Sequence, residues 1–202
     1  MGAELPFAAE PEPTLGEYRV QMHGVSWARY LALRALLDEQ PGVRLTFLEG
    51  TLEIMTPSPE HERTKTLIAR LIEAYSVQRQ IPLNGYGSTT FSREAQERGL
   101  EPDECYVLGS SLKTVPDIAI EVVITSGGID KLAVYRGLGI PEVWFFHGEA
   151  FHLYRLGDTG YERVPRSTFL PDLDLDLLAS FVDRQDQTAA VRDYQSALDS
   201  GE

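Results

Sequence analysis

The chain has 202 residues, of which 43% are apolar, enough for one domain with one hydrophobic core. Its net charge of −13 argues against a protein that covers nucleic acid with a broad basic face. No apolar run is long enough to span a bilayer, and residues 1–13 lack the basic and apolar regions of a secretory signal. The single cysteine, Cys105, excludes an internal disulfide, so we expect a cytoplasmic protein.

The negative charge is concentrated at the two ends of the chain. Residues 1–18 contain four glutamates and no basic residue, and residues 171–202 contain eight acids against two arginines. We predict an acidic, loosely ordered arm over 1–18 and one domain over 19–202 that ends in an acidic helix and tail. The remaining body is close to neutral, so its charge leaves nucleic-acid binding open.

The first predicted elements, in chain order, are a helix, a β-hairpin and a second helix. Ser26 is a typical N-cap for a helix over 27–39. Residues 43–55 predict two strands that turn at Glu49. Ser58, followed by proline, predicts the start of a second helix with one apolar face.

The second half of the chain alternates short strands with helices. The predicted elements are a turn at 84–87, a strand at 88–92, a polar loop at 93–102, strands at 105–108 and 115–125, a short helix closed by Gly139, a hairpin over 143–156 and a last helix at 177–198. This order predicts a mixed α/β (α+β) class with one central mixed β-sheet flanked by helices.

The strand over 115–125 carries two acids on one face. Because side chains alternate along a strand, Asp117, Ala119 and Glu121 share a face, while the isoleucines between them face the opposite side. A carboxylate in the middle of a central strand must be paired, solvated or bound to a cation, since burying it alone is costly.

A third acid, Asp103, directly precedes the neighbouring strand. Two adjacent strands that each bring a carboxylate to the same end form a hard-oxygen pocket, and Mg²⁺ suits such a pocket because it takes one or two carboxylates and keeps several waters. Lys131 follows Glu121 by ten residues. A lysine beside such a metal can orient or help deprotonate an attacking water, or stabilise charge on a phosphate.

An ordered set of motifs resembles the PD-(D/E)XK superfamily, in particular a small stand-alone bacterial branch of restriction endonuclease-like proteins. The resemblance covers roughly residues 26–180. The matching segments are Glu49-Gly50 at the hairpin turn, Met55 to His61 at the following break, Pro102-Asp103, Pro116 to Val122, and then Lys131-Leu132, Tyr135, Gly139 to Glu142 and Trp144.

The resemblance implies a restriction endonuclease-like fold and a metal-dependent DNA endonuclease. Carried over to this chain, Asp103 and Glu121 would bind Mg²⁺, or Mn²⁺ in its place, and Lys131 would be the active-site lysine. In most of the superfamily the lysine follows the acid by two residues on the same strand, where this chain has Val123. The resemblance also implies a homodimer, with two sites cutting two strands.

Three further residues are candidates for the surroundings of the site: Asp117, His61 and Glu49. Each also has a structural interpretation. Asp117 can cap its strand, and Glu49, like Glu53, is expected to be an exposed hairpin acid. For the main candidates, Asp103 can cap a turn and Glu121 can form an ion pair with Lys131.

Two other functions remain open on the sequence. One is a catalytically silent nuclease-fold protein that acts as a regulatory or scaffold module, which the acidic ends favour. The other is a nuclease that acts on RNA or a repair intermediate. If a phosphate backbone approaches the predicted metal site, we expect basic side chains to surround Asp103 and Glu121. The candidates are Arg63, Lys65, Arg93, Arg98 and Lys113.

Overall fold

Two β-sheets and five α-helices form the fold in the computed structural model, which describes residues 16–37, 40, 42–110, 113–125 and 127–200. The strands are β1 (Tyr18–His23), β2 (Arg44–Leu48), β3 (Thr51–Thr56), β4 (Leu83–Gly85), β5 (Phe91–Arg93), β6 (Arg98–Leu100), β7 (Glu104–Leu108), β8 (Ile118–Val122), β9 (Glu142–His147), β10 (Ala150–Gly157) and β11 (Gly160–Val164). The helices are α1 (Trp27–Leu37), α2 (Pro59–Gln78), α3 (Lys131–Leu138), α4 (Leu175–Ala179) and α5 (Gln187–Ser200).

The larger sheet has the strand order β11-β10-β9-β8-β7-β4 and the smaller one β1-β3-β2-β6-β5. Strands β8 and β9 are parallel and are connected through α3, as a parallel pair requires, while the other neighbours in both sheets are antiparallel. The predicted mixed α/β class is therefore confirmed. The strands are divided between two sheets rather than the single sheet predicted.

Strand β8 separates the two main parts of the core. Ile118, Ile120 and Val122 belong to the apolar cluster formed with α2, α4 and α5. On the opposite face, Ala119 packs in a second cluster with residues of α3 and with Leu100 of the smaller sheet. The face that carries Glu121 therefore lies between the larger sheet and the layer formed by α3 and the smaller sheet.

Several predicted element boundaries are confirmed. The side chain of Ser58 accepts a hydrogen bond from the backbone N–H of His61 at 3.1 Å, and Pro59 opens α2. The β2–β3 hairpin turns at Glu49, and Gly139 ends α3 in the left-handed region with φ +78°. Helix α1 begins at the predicted residue, and its predicted end at residue 39 lies outside the described residues.

The shortest elements were predicted wrongly. Residues 84–87 begin within β4, and the predicted loop over 93–102 contains a 3₁₀ turn and the strand β6. Strands of three residues show no periodicity, and their stability comes from pairing with distant strands. The predicted last helix is two helices, because Asp186 caps a new start by accepting from the backbone N–H of Ala189 at 2.9 Å.

Strand β8 is shorter than the predicted strand over 115–125, and β1 and β11 were not predicted. At the start of β8, the carboxylate of Asp117 accepts a hydrogen bond from the backbone N–H of Leu108 at 2.8 Å. The backbone N–H of Asp117 also donates to the carbonyl of Tyr106 at 2.9 Å, so this side-chain contact adds to the pairing of β8 with β7. Every helix in the described ranges is too short or too polar to traverse a bilayer.

Strand β6 lies so close to α1 that a larger residue at Gly99 should destabilise the fold. A Cβ added at Gly99 would lie 2.8 Å from Cζ of Tyr30, whose fully buried ring stacks on Phe47. We expect Gly99→Ala to lower the free energy of unfolding by about 1–3 kcal/mol, measured by urea denaturation, because the ring has no room to move. In the control Gly157→Ala the nearest atom is 3.6 Å away; an equal loss in both variants would contradict this account.

Candidate active site

Asp103 and Glu121 lie next to each other on adjacent strands. Asp103 directly precedes β7, Glu121 is the fourth residue of β8, and the two strands pair with Glu104 opposite Ile120. One carboxylate oxygen of Asp103 accepts a hydrogen bond from the backbone N–H of Val122 at 2.7 Å. The exposed fractions are 1% for Asp103 and 0% for Glu121. The structure thus brings together the two acids that the sequence singled out.

Lys131 joins them from the first turn of α3. Its Nζ lies 2.5 Å from Oε2 of Glu121. Asp130 fixes the start of the helix by accepting from the backbone N–H of Ala133 at 3.1 Å. One turn further along, the hydroxyl of Tyr135 donates to the other oxygen of Glu121. Sequence reasoning gave no role to Tyr135, although its spacing of four residues from Lys131 places both on one helix face.

Asp103 is held by two further basic side chains. The Nε2 of His61, in the first turn of α2, lies 2.9 Å from Oδ1, and an Nη of Arg44, on β2, lies 2.8 Å from the same atom. The Nδ1 of His61 lies 3.1 Å from Oε2 of Glu17. Because both ring nitrogens face carboxylates, the ring is held as an imidazolium that donates from both sides.

A second acidic layer surrounds this centre. Glu53 is 1% exposed and accepts from the side chain of Gln21 and from the backbone N–H of Ile129, both at 3.0 Å. The prediction of an exposed hairpin acid is wrong for Glu53, because β3 lies between β1 and β2 rather than at an edge. Glu17 also pairs with Arg19 at 2.8 Å. Residues 1–15 of the predicted arm lie outside the described residues.

Of the three additional candidates, only His61 contacts one of the two central acids, namely Asp103. Asp117 binds Lys113 at 2.6 Å at the opposite end of β8 from Val122. Glu49 is exposed at the tip of the hairpin, with φ +44°, and pairs with Arg98 at 2.6 Å. In this structure both have the structural roles that the sequence left open.

The five basic residues expected around the acids are bonded elsewhere. Arg63 donates to the carbonyls of residues 184 and 185, Lys65 pairs with Glu62, Arg93 donates to the carbonyl of Gly137, Arg98 pairs with Glu49, and Lys113 pairs with Asp117. In the described part of the chain, the cations that contact Asp103 and Glu121 are Arg44, His61 and Lys131. The positive charge at the site therefore comes from these three side chains, each in direct contact with one of the two acids.

Burial and neighbouring charge shift the pKa values of the central groups in different directions. Burial acts to raise the pKa of Asp103, yet the hydrogen bond from His61 and the charges of Lys131 and Arg44 hold it well below its usual range. Complete burial raises the pKa of Glu121. Burial acts to lower the pKa of Lys131, but the charges of Glu121 and Asp103 outweigh it and raise that pKa. Asp103 is therefore ionised and Lys131 protonated near neutral pH.

The donor atoms at this centre fit a small hard cation. Asp103 and Glu121 supply carboxylate oxygens from two adjacent strands, the ligand type that Mg²⁺ and Mn²⁺ prefer. The described residues contain no cluster of three or more His, Cys, Asp or Glu side chains arranged to hold a metal ion. A cation bound by these two carboxylates would therefore complete its coordination with water, as Mg²⁺ commonly does.

The contacts of His61 predict that its contribution to stability depends on pH. Burial acts to lower its pKa, but the hydrogen bond and charge of Asp103 raise it above the ordinary value. The imidazolium therefore stabilises the fold fully below the unfolded pKa of about 6.5 and loses this effect as pH rises through the folded pKa. We expect His61→Gln to lower the free energy of unfolding by about 3 kcal/mol at roughly pH 6, and by less at about pH 9.

Urea denaturation in EDTA at both pH values measures this difference. The matched variant His23→Gln, at an exposed position on β1, should change the stability by less than about 0.5 kcal/mol. A deficit for His61→Gln that is constant or grows with pH would show that the buried ring is neutral.

The model of the Uma2 family, described as "Putative restriction endonuclease", matches residues 27–189. This match covers about four-fifths of the chain and includes Asp103, Glu121 and Lys131. No curated protein matches the chain. The chain belongs to the Uma2 family of the restriction endonuclease-like superfamily.

Proposed function

We propose that this protein is a divalent metal-dependent phosphodiesterase that cuts DNA. The observation that carries the proposal is the pair of fully buried carboxylates, Asp103 and Glu121, on adjacent strands with the ammonium of Lys131 at 2.5 Å from Glu121. Two carboxylates can hold a catalytic divalent cation, and an ammonium beside them can stabilise the charge that develops on a phosphate. Membership of the family supports a nuclease-like activity in general.

Asp103 and Glu121 would hold the metal. When bound, the cation supplies Lewis-acid polarisation of the phosphate and a lowered pKa for the attacking water. The backbone N–H of Val122 and the hydroxyl of Tyr135 each fix one carboxylate, so that the oxygens are oriented before substrate binds. Such preorganisation avoids the cost of reorienting the ligands during the reaction.

Lys131 would stabilise charge rather than accept a proton. Its raised pKa keeps the side chain an ammonium near neutral pH, and an ammonium has no free lone pair with which to deprotonate water. A fixed positive charge beside the phosphate would instead stabilise the negative charge that develops on the phosphoryl oxygens. Groups of this kind contribute roughly 10²–10³ to the rate.

Arg44 and His61 would be positioning residues. Both contact the same oxygen of Asp103, and together they keep this carboxylate ionised despite complete burial. Their charges also offset the repulsion between Asp103 and Glu121. The homodimer, the cytoplasmic location and DNA as the substrate remain predictions.

A second candidate function has its own supporting observation. Each carboxylate oxygen of Asp103 and Glu121 already accepts a hydrogen bond or ion pair from the protein. A closed network of this kind is what a catalytically silent nuclease-fold module would contain. Binding of a metal to these two acids distinguishes the two functions, because it must displace part of that network.

Thermal and urea unfolding with Mg²⁺ and Mn²⁺ measures this binding directly. A cation at about 100 times its dissociation constant should stabilise the folded state by roughly 2.7 kcal/mol. We expect this gain in the wild type and its loss in Glu121→Gln. The control is Glu142→Gln, another fully buried glutamate, bonded to Trp144 and to the backbone N–H of Thr168, which should keep the gain. Absence of a metal response in the wild type would favour the silent module.

Cleavage of plasmid DNA tests catalysis itself. We expect Glu121→Gln to reduce the rate below detection and Lys131→Met to reduce it by about 10²–10³, because the developing phosphoryl charge loses its stabilising ammonium. Lys113→Met is the matched control, since Lys113 binds Asp117 at the far end of β8. Wild-type cleavage by Lys131→Met would remove Lys131 from the mechanism.

A further inference from the structure

A cleft opens next to Lys131, on the side of the site away from Asp103. Its volume is about 340 Å³, which is large enough for an aromatic ring system with polar edges. Its lining includes the charged side chains of Arg19, Asp130 and Lys131 and the rings of Phe145, His152 and Tyr154. The nuclease chemistry proposed above gives this cleft no role.

The strand register connects the cleft to the two acids. Glu121 of β8 lies beside Phe145 of β9, and Phe145 lies opposite His152 of β10. These three side chains therefore form one row across three adjacent strands, on the face that α3 covers. Since neighbouring strands are about 4.8 Å apart, the floor of the cleft lies roughly 5–10 Å from Glu121.

The walls of the cleft combine aromatic surface with a directed hydrogen-bond donor. The rings of Phe145 and Tyr154 have centroids 5.8 Å apart at an interplanar angle of 84°. An Nη of Arg163 lies 2.7 Å from Nδ1 of His152. Because arginine only donates, Nδ1 is the acceptor and Nε2 of His152 carries the hydrogen. Aromatic faces with a donor at their edge are what proteins use to bind an exposed nucleobase.

The charge of the protein favours stacking over backbone contacts. The net charge is −13, and the five basic residues that could have followed a phosphate backbone are bonded to carboxylates or carbonyls. Duplexes and single strands are both bound through their phosphates, but stacking on aromatic side chains adds a contact that only a base free of its partner can make. The site therefore suits an unpaired strand.

We propose that this cleft binds a nucleobase from an unpaired nucleic-acid segment next to the bond that is cut. Single-stranded or locally unpaired nucleic acid is then the preferred substrate. This inference rests on the proposed nuclease function, and it adds Phe145 and His152 to the residues that contact substrate.

Binding of short single-stranded DNA oligonucleotides, followed by fluorescence anisotropy in Ca²⁺, tests the inference without requiring cleavage. An abasic nucleotide is placed at each position in turn. For the wild type we expect one position at which loss of the base weakens binding roughly tenfold. Phe145→Leu, which keeps apolar volume but removes the aromatic face, should lose this penalty. Phe146→Leu, one residue further and on the opposite face against Phe151, should keep it.

Two results would overturn the inference: abasic penalties that are the same in the wild type and Phe145→Leu, or a wild type that binds a duplex of the same sequence as tightly as the single strand. Assays of cleavage in Mg²⁺ and Mn²⁺ report on the nuclease function separately. Cleavage without a position-specific abasic penalty would reject the cleft and retain the nuclease. A penalty without any cleavage would retain the cleft and reject the nuclease.

Discussion

The hydrogen bond from the backbone N–H of Val122 to Asp103 is the contact on which the site depends. It attaches the carboxylate that precedes β7 to the last residue of the neighbouring strand β8, directly beside Glu121. Two negative charges in a fully buried position are unstable unless other charges compensate them. The surrounding structure is arranged around this requirement, with cations supplied from β2, α2 and α3.

These cations come from distant parts of the chain. Arg44 belongs to the smaller sheet, His61 to the first turn of the long helix, and Lys131 to the helix that joins the two parallel strands. The packing of the two sheets therefore brings these cations into contact with the acids. The same network that stabilises the fold fixes the carboxylate oxygens that would hold a metal under the proposed function, which links stability to the proposed activity.

Much of the centre could be predicted from the sequence because its signals are local. An acid in the middle of an apolar strand marks Glu121, while Asp103 and Lys131 gain their meaning from their places in the ordered motifs that resemble the restriction endonuclease-like proteins. The partners Arg44, Glu17 and Glu53 gave no such signal. Their roles depend on which strand lies beside which, and a basic or acidic residue on a hairpin is usually exposed.

The sequence alone determined the class of the fold, the capped start of α2, the glycine end of α3, the β2–β3 and β9–β10 hairpins, and the strand that carries Glu121, since each follows from side-chain periodicity or turn chemistry within a few residues. Only the tertiary structure decided the division into two sheets, the three-residue strands, the burial of Glu53 and the imidazolium between Glu17 and Asp103. The physical reason is that pairing between distant strands, and the desolvation of charges that it imposes, are set by contacts far apart in the chain.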